Sequence, residues 1–167
     1  MGRAQEHHPW SPTPAAASPL TDPVGRPLLA YHLRPFEQLD IAELYEVLRL
    51  RVDVFVVEQV CAYPEIDGHD LYAQHLLGTA DGRLAAYCRW FEDEGRVTLG
   101  RIVVGREWRG RGWGKAITRE AIRLIGAGPV RVHAQTRLEG FYRELGFEPV
   151  GEPYDDFGVL HLRMDRL

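Results

Sequence analysis

Seven consecutive residues carry the strongest chemical signal in this chain: Arg109, Gly110, Arg111, Gly112, Trp113, Gly114 and Lys115. They follow the apolar run Ile102, Val103 and Val104. After them come Ala116, Ile117, Ala121, Ile122, Leu124 and Ile125 at near-helical spacing. The order is therefore strand, glycine-rich loop, helix. The first amides of a helix lack internal partners, and the helix dipole adds partial positive charge there, so a pyrophosphate suits that place. Gly110, Gly112 and Gly114 carry no Cβ and let the backbone approach phosphate closely. Arg109, Arg111 and Lys115 bring formal charge to the same spot. The spacing is not Gly-x-x-x-x-Gly-Lys-Ser/Thr, nor Gly-x-Gly-x-x-Gly directly after a first strand.

Other residues can move protons. Tyr142 is a phenol on a short helix expected over residues 138–145, and a phenol can protonate a departing sulfur. Glu58 and His75 are the leading candidates for a base, with Asp67 and Asp70 behind them. Each also has a plain structural use. Tyr142 can simply pack its helix, Glu58 can pair with Arg51 or Arg101, and His75 can be a satisfied strand residue. Asp67-Gly68-His69-Asp70 suits a polar turn better than a metal loop.

Arg109-x-x-Gly112-x-Gly114 after Ile102-Val103-Val104 resembles the acetyl-CoA motif of the GNAT acyltransferases. A second block agrees: the strand Val130-Arg131-Val132-His133-Ala134-Gln135, then Phe141-Tyr142-Arg143-Glu144-Leu145-Gly146-Phe147. A third block runs from Arg51 through Phe55, Glu58 and Gln59 to Cys61, Tyr63, Asp67, Gly68, Asp70 and His75. It is similar to the ElaA-like subgroup, and its first part also to acyl-homoserine-lactone synthases, which share the fold. The resemblance spans residues 28–167. It implies that the backbone of Ile102, Val103 and Val104 pairs with the pantetheine arm of acetyl-CoA, and that amides of Arg111 to Lys115 hold the pyrophosphate. Gln135 stands where many members have a cofactor-contacting Asn. The implied activity is acetyl transfer to an amine acceptor, a small molecule or a peptide, by direct attack in a ternary complex without a metal. The alternatives are a non-catalytic acyl-CoA-binding module and lactone-synthase-like acyl transfer.

Composition sets the frame. The chain has 167 residues, 45% of them hydrophobic, which suits one domain with a sizeable core. A net charge of −4 gives no basic footprint for nucleic acid. No apolar run is long enough for a membrane span, and the N-terminus lacks a signal-peptide core. Cys61 and Cys88 stand far apart without metal-ligand spacing and suit a reducing, cytoplasmic setting. Residues 1–27 are rich in Pro, Ala, Ser and Thr and read as a disordered tail.

The elements that must position these residues follow from local pattern. A strand is expected over residues 28–36. Asp40 should cap a helix through Arg51, its buried stripe being Ile41, Leu44, Tyr45, Leu48 and Val52. A short second helix covers residues 54–59. A hairpin turns at Asp81-Gly82 between strands 74–80 and 83–91. Strand 96–104, helix 112–127, strand 130–135 and helix 138–145 come next, then two strands near 148–154 and 159–165. The expected fold is α/β, a GNAT-like acyl-CoA N-acyltransferase arrangement with a mixed central sheet of about seven strands flanked by helices.

Overall fold

The structure is a computed structural model that describes residues 20–25 and 27–167. Most of the expected tail lies outside the described residues. Where it is described, it is tied down: Thr21 bridges Pro27, and the Leu28 amide donates to the Leu20 carbonyl at 2.8 Å.

Eight strands form one mixed sheet. They are β1 (Ala30–Pro35), β2 (Gln74–Ala80), β3 (Arg83–Asp93), β4 (Arg96–Val104), β5 (Val130–Gln135), β6 (Glu148–Pro149), β7 (Tyr154–Asp156) and β8 (Val159–Arg166). The order across the sheet is β1-β2-β3-β4-β5-β8-β6, with β7 pairing the other end of β8. β4 and β5 are parallel, and the remaining pairs are antiparallel. The eighth strand arises because the segment expected over 148–154 breaks in two. Gly151 takes φ +79°, and Pro153 has no amide to donate to a ladder.

Three α-helices flank the sheet: α1 (Ile41–Arg51), α2 (Trp113–Ile125) and α3 (Glu139–Arg143). Asp40 caps α1 as expected, its carboxylate accepting from the Glu43 amide at 2.7 Å while Glu43 reaches back to the Asp40 amide. The buried side of α1 differs from expectation. Val47 and Arg51 are buried, while Ile41 and Tyr45 are exposed. The packed stripe is set by Val47 and the following turn, not by the first apolar residue. After Arg51 the chain does not stop and restart. It continues as a π-helical segment, Val52–Glu58, with amides of Gln59 and Cys61 donating five residues back to Val54 and Val56. Among the described residues, no helix is long and apolar enough to cross a membrane.

The main core lies between α2, α3 and one face of the sheet, around Leu76, Leu99, Ile117, Val130, Val132, Phe147 and Met164. The other face holds a cluster of buried charges. The Arg51 guanidinium donates to Glu65 at 2.8 and 2.9 Å and to Asp70 at 2.7 Å. Arg89 also reaches Asp70, and bonds Asp67 at 2.5 Å. Arg101 bonds Asp67 at 2.9 Å and pairs with Glu65 at 2.8 Å. Burial by itself would raise the Asp67 carboxyl, but the Arg89 hydrogen bond and the charges of Arg89 and Arg101 outweigh it and hold the group at about 2. Asp70 is lowered in the same way, chiefly by Arg51.

Two outcomes follow for stability. Arg51→Met leaves Glu65 and Asp70 short of a buried partner and should cost about 3–5 kcal/mol in denaturant unfolding. Because the folded-state values of Asp67 and Asp70 lie below the ordinary 3.8, their contribution is complete above that value and lost as pH falls through it towards about 2. Thermal unfolding should therefore show a steep loss of Tm in that acid window, and a flat acid limb would refute the assignment.

Candidate active site

The site begins with a backbone irregularity. Along β3 and β4, Tyr87 faces Val103 while Arg89 faces Gly100, so three steps on β4 match two on β3. The extra residue makes a bulge, and Arg101 takes φ +53°, an uncommon value outside glycine. On its other side, β4 pairs with β5 only at Val97–Val130 and Thr98–Arg131. Beyond those pairs the strands part. Between them lies a cleft of about 460 Å³. Leu99 to Val104 form one wall, and His133 and Gln135 of β5 the other. Tyr142, the π-helical residues Phe55 and Glu58, and the loop residues Cys61 and Tyr63 complete it.

The glycine loop lies beyond the end of β4, before α2. Gly110 and Gly112 both take φ +75°, with nothing within 4 Å of where a Cβ would sit. What glycine supplies at these two positions is the left-handed backbone. Gly112 caps α2, no side chain caps this end, and the first amide bonded along the helix is that of Ala116, to the Gly112 carbonyl at 3.1 Å. At Gly114 a Cβ would meet Phe141 and Val104 at 3.8 Å, an ordinary contact distance, so α2 packs beside both α3 and β4 there.

Each charged side chain of the loop already has a partner. Arg109 forks onto both Glu58 oxygens at 2.7 and 3.0 Å, and its Nε donates to the Val104 carbonyl at 3.2 Å. Arg111 lies 5.4 Å from the ring centres of both Trp108 and Trp113. Those two indoles stack at 5.4 Å and 26°, and both are buried, so the Trp113 side chain is an anchor and only its backbone faces the helix start. Lys115 pairs with Glu144. Ile102, Val103 and Val104 line the cleft, with Val103 itself buried towards a small core around Val47 and Tyr87.

The proton-moving candidates separate clearly. Tyr142 is buried edge-on to Phe141 and Phe147 and lines the cleft. Burial pushes its phenol up, so it stays protonated and able to donate at neutral pH. Glu58 also lines the cleft, but its partners are Arg109 and Arg106, not Arg51 or Arg101. The Arg109 hydrogen bond lowers its carboxyl, which makes it a weaker proton acceptor. His75 departs from expectation. It is fully buried outside the cleft. Its Nε2 donates to the Asp70 carbonyl at 2.9 Å, and its Nδ1 accepts from the Tyr87 hydroxyl at 2.7 Å. With both nitrogens engaged and burial lowering its pKa, it is a neutral core residue with no lone pair to offer a substrate. Gln135 stands on the wall, its amide donating to Gln59 at 2.9 Å and its oxygen accepting from Arg137 at 3.0 Å.

Two cleft histidines were not singled out from the sequence, His133 and His161. Strand alternation held the signal for the first, because His133 lies two residues from Gln135 and so on the same face. His161 could be found only through the pairing of β8 with β5.

A mixed sheet opened beside a bulged strand, with an uncapped helix start beyond it, defines an acyl-CoA acyltransferase fold. Residues 49–167 match the family model described as "Acetyltransferase (GNAT) domain", and the chain belongs to that family. Among its relatives, the ElaA protein of Escherichia coli is 37% identical over 138 residues, covering 77% of this chain and 90% of that one. A UPF0039 protein of Mycobacterium tuberculosis is 39% identical over 137 residues, covering 78% and 88%. The solved structure of an acyl-CoA N-acyltransferase from Pseudomonas aeruginosa superposes with TM-score 0.78 at 37% identity, over 84% of this chain and all of that one. A Thermoplasma acidophilum PaiA N-acetyltransferase solved with coenzyme A shares the fold, with TM-score 0.60 at 16% identity over 82% of this chain and 98% of that one.

The glycine loop can be tested directly. Gly112→Asp keeps a residue type that tolerates φ above zero and places a carboxylate where an anion would bind. Coenzyme A affinity measured by calorimetry should fall at least about tenfold, roughly 1.4 kcal/mol, while the variant stays folded. Unchanged affinity would remove the loop from the binding site.

Proposed function

We propose that this protein transfers an acetyl group from acetyl-CoA to an amine by direct attack in a ternary complex. The observation that carries this reading is the parted β4–β5 pair with a neutral phenol, Tyr142, on the cleft it opens. The parted length of β4, from Leu99 to Val104, offers backbone groups to an amide-bearing arm such as pantetheine, as an added strand would use them. The uncapped start of α2 suits the pyrophosphate. That a Thermoplasma acidophilum fold relative was solved with coenzyme A supports coenzyme A as the kind of ligand.

In this reading Arg109 does more than add charge. Its fork to Glu58 and its bond to the Val104 carbonyl tie the loop to the cleft wall. Glu58 then shapes the acceptor side and holds the loop, which fits its two arginine partners better than a base would. Tyr142 protonates the sulfur as the carbon–sulfur bond breaks. The free thiols Cys61 and Cys88 suit a reducing setting such as the cytoplasm.

An acceptor screen with acetyl-CoA, following release of CoA thiol, tests the activity. Tyr142→Phe keeps the ring and its contacts with Phe141 and Phe147, so folding and acetyl-CoA affinity should persist. Turnover on a confirmed acceptor should fall roughly 10²–10⁴-fold. Equal rates would reduce Tyr142 to a packing residue. Acetyl-CoA binding with no thiol release for any amine would favour the non-catalytic binding module.

A further inference from the structure

Acetyl transfer to an ammonium acceptor needs a group that takes a proton, and neither Glu58 nor His75 is arranged to do so. Resting on the acetyl-transfer reading, we propose that His161 is the general base and receives the acceptor's proton at Nε2.

His161 lies on β8 directly opposite Gln135 of β5, so the two side chains leave the sheet on one face, and both line the cleft. Their sequence neighbours Ala134 and Leu162 point the other way into the core, so alternation commits His161 to the cleft side. Its Nδ1 lies 2.9 Å from the carbonyl of Val159. A carbonyl oxygen only accepts, so Nδ1 carries the proton and the neutral ring keeps its lone pair on Nε2. Among the described residues, Nε2 has no hydrogen-bond partner. One nitrogen is thus fixed by the main chain and the other is left open, which is the arrangement a positioned base requires.

The neighbouring histidine lacks this definition. His133 Nδ1 sits 2.5 Å from the Tyr154 hydroxyl, which can either donate or accept, so its tautomer is not set. The charged and titratable groups facing His161 come from every wall. They are His133 on β5, Arg163 on β8, Tyr154 and Asp156 on β7, Arg137 after β5, Tyr142 on α3, Arg101 on β4, Arg109 in the glycine loop, and Glu58, Cys61 and Tyr63. Tyr154 packs against the His161 ring at 6.1 Å between centres.

The step balances as follows. Nε2 takes one proton from the ammonium, and the freed amine attacks the thioester carbonyl carbon. A carbon–nitrogen bond forms, the carbon–sulfur bond breaks, and its electron pair leaves on sulfur. Tyr142 protonates that sulfur, and the remaining proton on nitrogen returns to the tyrosinate through solvent. Ammonium and thioester become amide, thiol and one proton, which the His161 imidazolium releases to water.

The test compares the wild type with His161→Gln and His161→Ala on one confirmed primary amine, with folding checked by circular dichroism. Turnover should fall about 100-fold or more with acetyl-CoA affinity retained, and free imidazole should restore part of the His161→Ala rate. Folded His161→Gln with near-wild-type turnover overturns the proposal while leaving acetyl transfer standing. Failure of imidazole rescue also overturns it. A wild type that releases no thiol with any amine removes the acetyl-transfer reading and this proposal together.

Discussion

Two arginines buried side by side impose the main constraint on this molecule. Arg51 at the end of α1 and Arg89 within β3 are almost completely shielded from water. A guanidinium in that position is tolerable only when carboxylates surround it. The loop between the π-helical segment and β2 has little regular structure, yet it must bring Glu65, Asp67 and Asp70 onto those cations. That demand closes the loop over the sheet and sets Cys61 and Tyr63 against the cleft. It also extends to Arg101, the residue at the bulge, through Glu65 and Asp67. The β4 wall of the opening is therefore braced by the ion pairs of Arg101.

The π-helical segment links that brace to the glycine loop. Its wider turns change the phase in which side chains leave the helix axis after Arg51. Arg51 is directed into the buried cluster, while Glu58, at the end of the segment, reaches Arg106 and Arg109 across the cleft. One continuous helical rod thus touches the charge cluster at its middle and the anion loop at its end.

Much of this was legible in the sequence, because local signals agreed with the global fold. The Asp40 cap, the Asp81-Gly82 turn and the strand–loop–helix around Gly112 each placed an element within a few residues of where it lies. The family pattern gave the fold. What escaped depends on contacts between distant segments. His75 looked like a base because its type permits one, and only Asp70 and Tyr87 show that both nitrogens are used. Ile41 and Tyr45 fit a helical stripe by spacing, but among the described residues nothing packs over the start of α1 to bury them. The charges around Gly112 read as free ligands, while Glu58, Glu144 and a pair of indoles already engage them. The break of the last sheet edge into β6 and β7 was hidden in Gly151 and Pro153, whose effect appears only against β8.

The stacked indoles beneath the glycine loop have an optical consequence. Trp108 and Trp113 lie face to face with the Arg111 cation over both rings, and Arg111 stands in the turn that leads into α2. Any occupant that draws Arg111 towards itself changes the charge above two emitting rings at once. The chain therefore carries a built-in fluorescence reporter at the loop, one that needs no label, no chromogenic product and no knowledge of the acceptor.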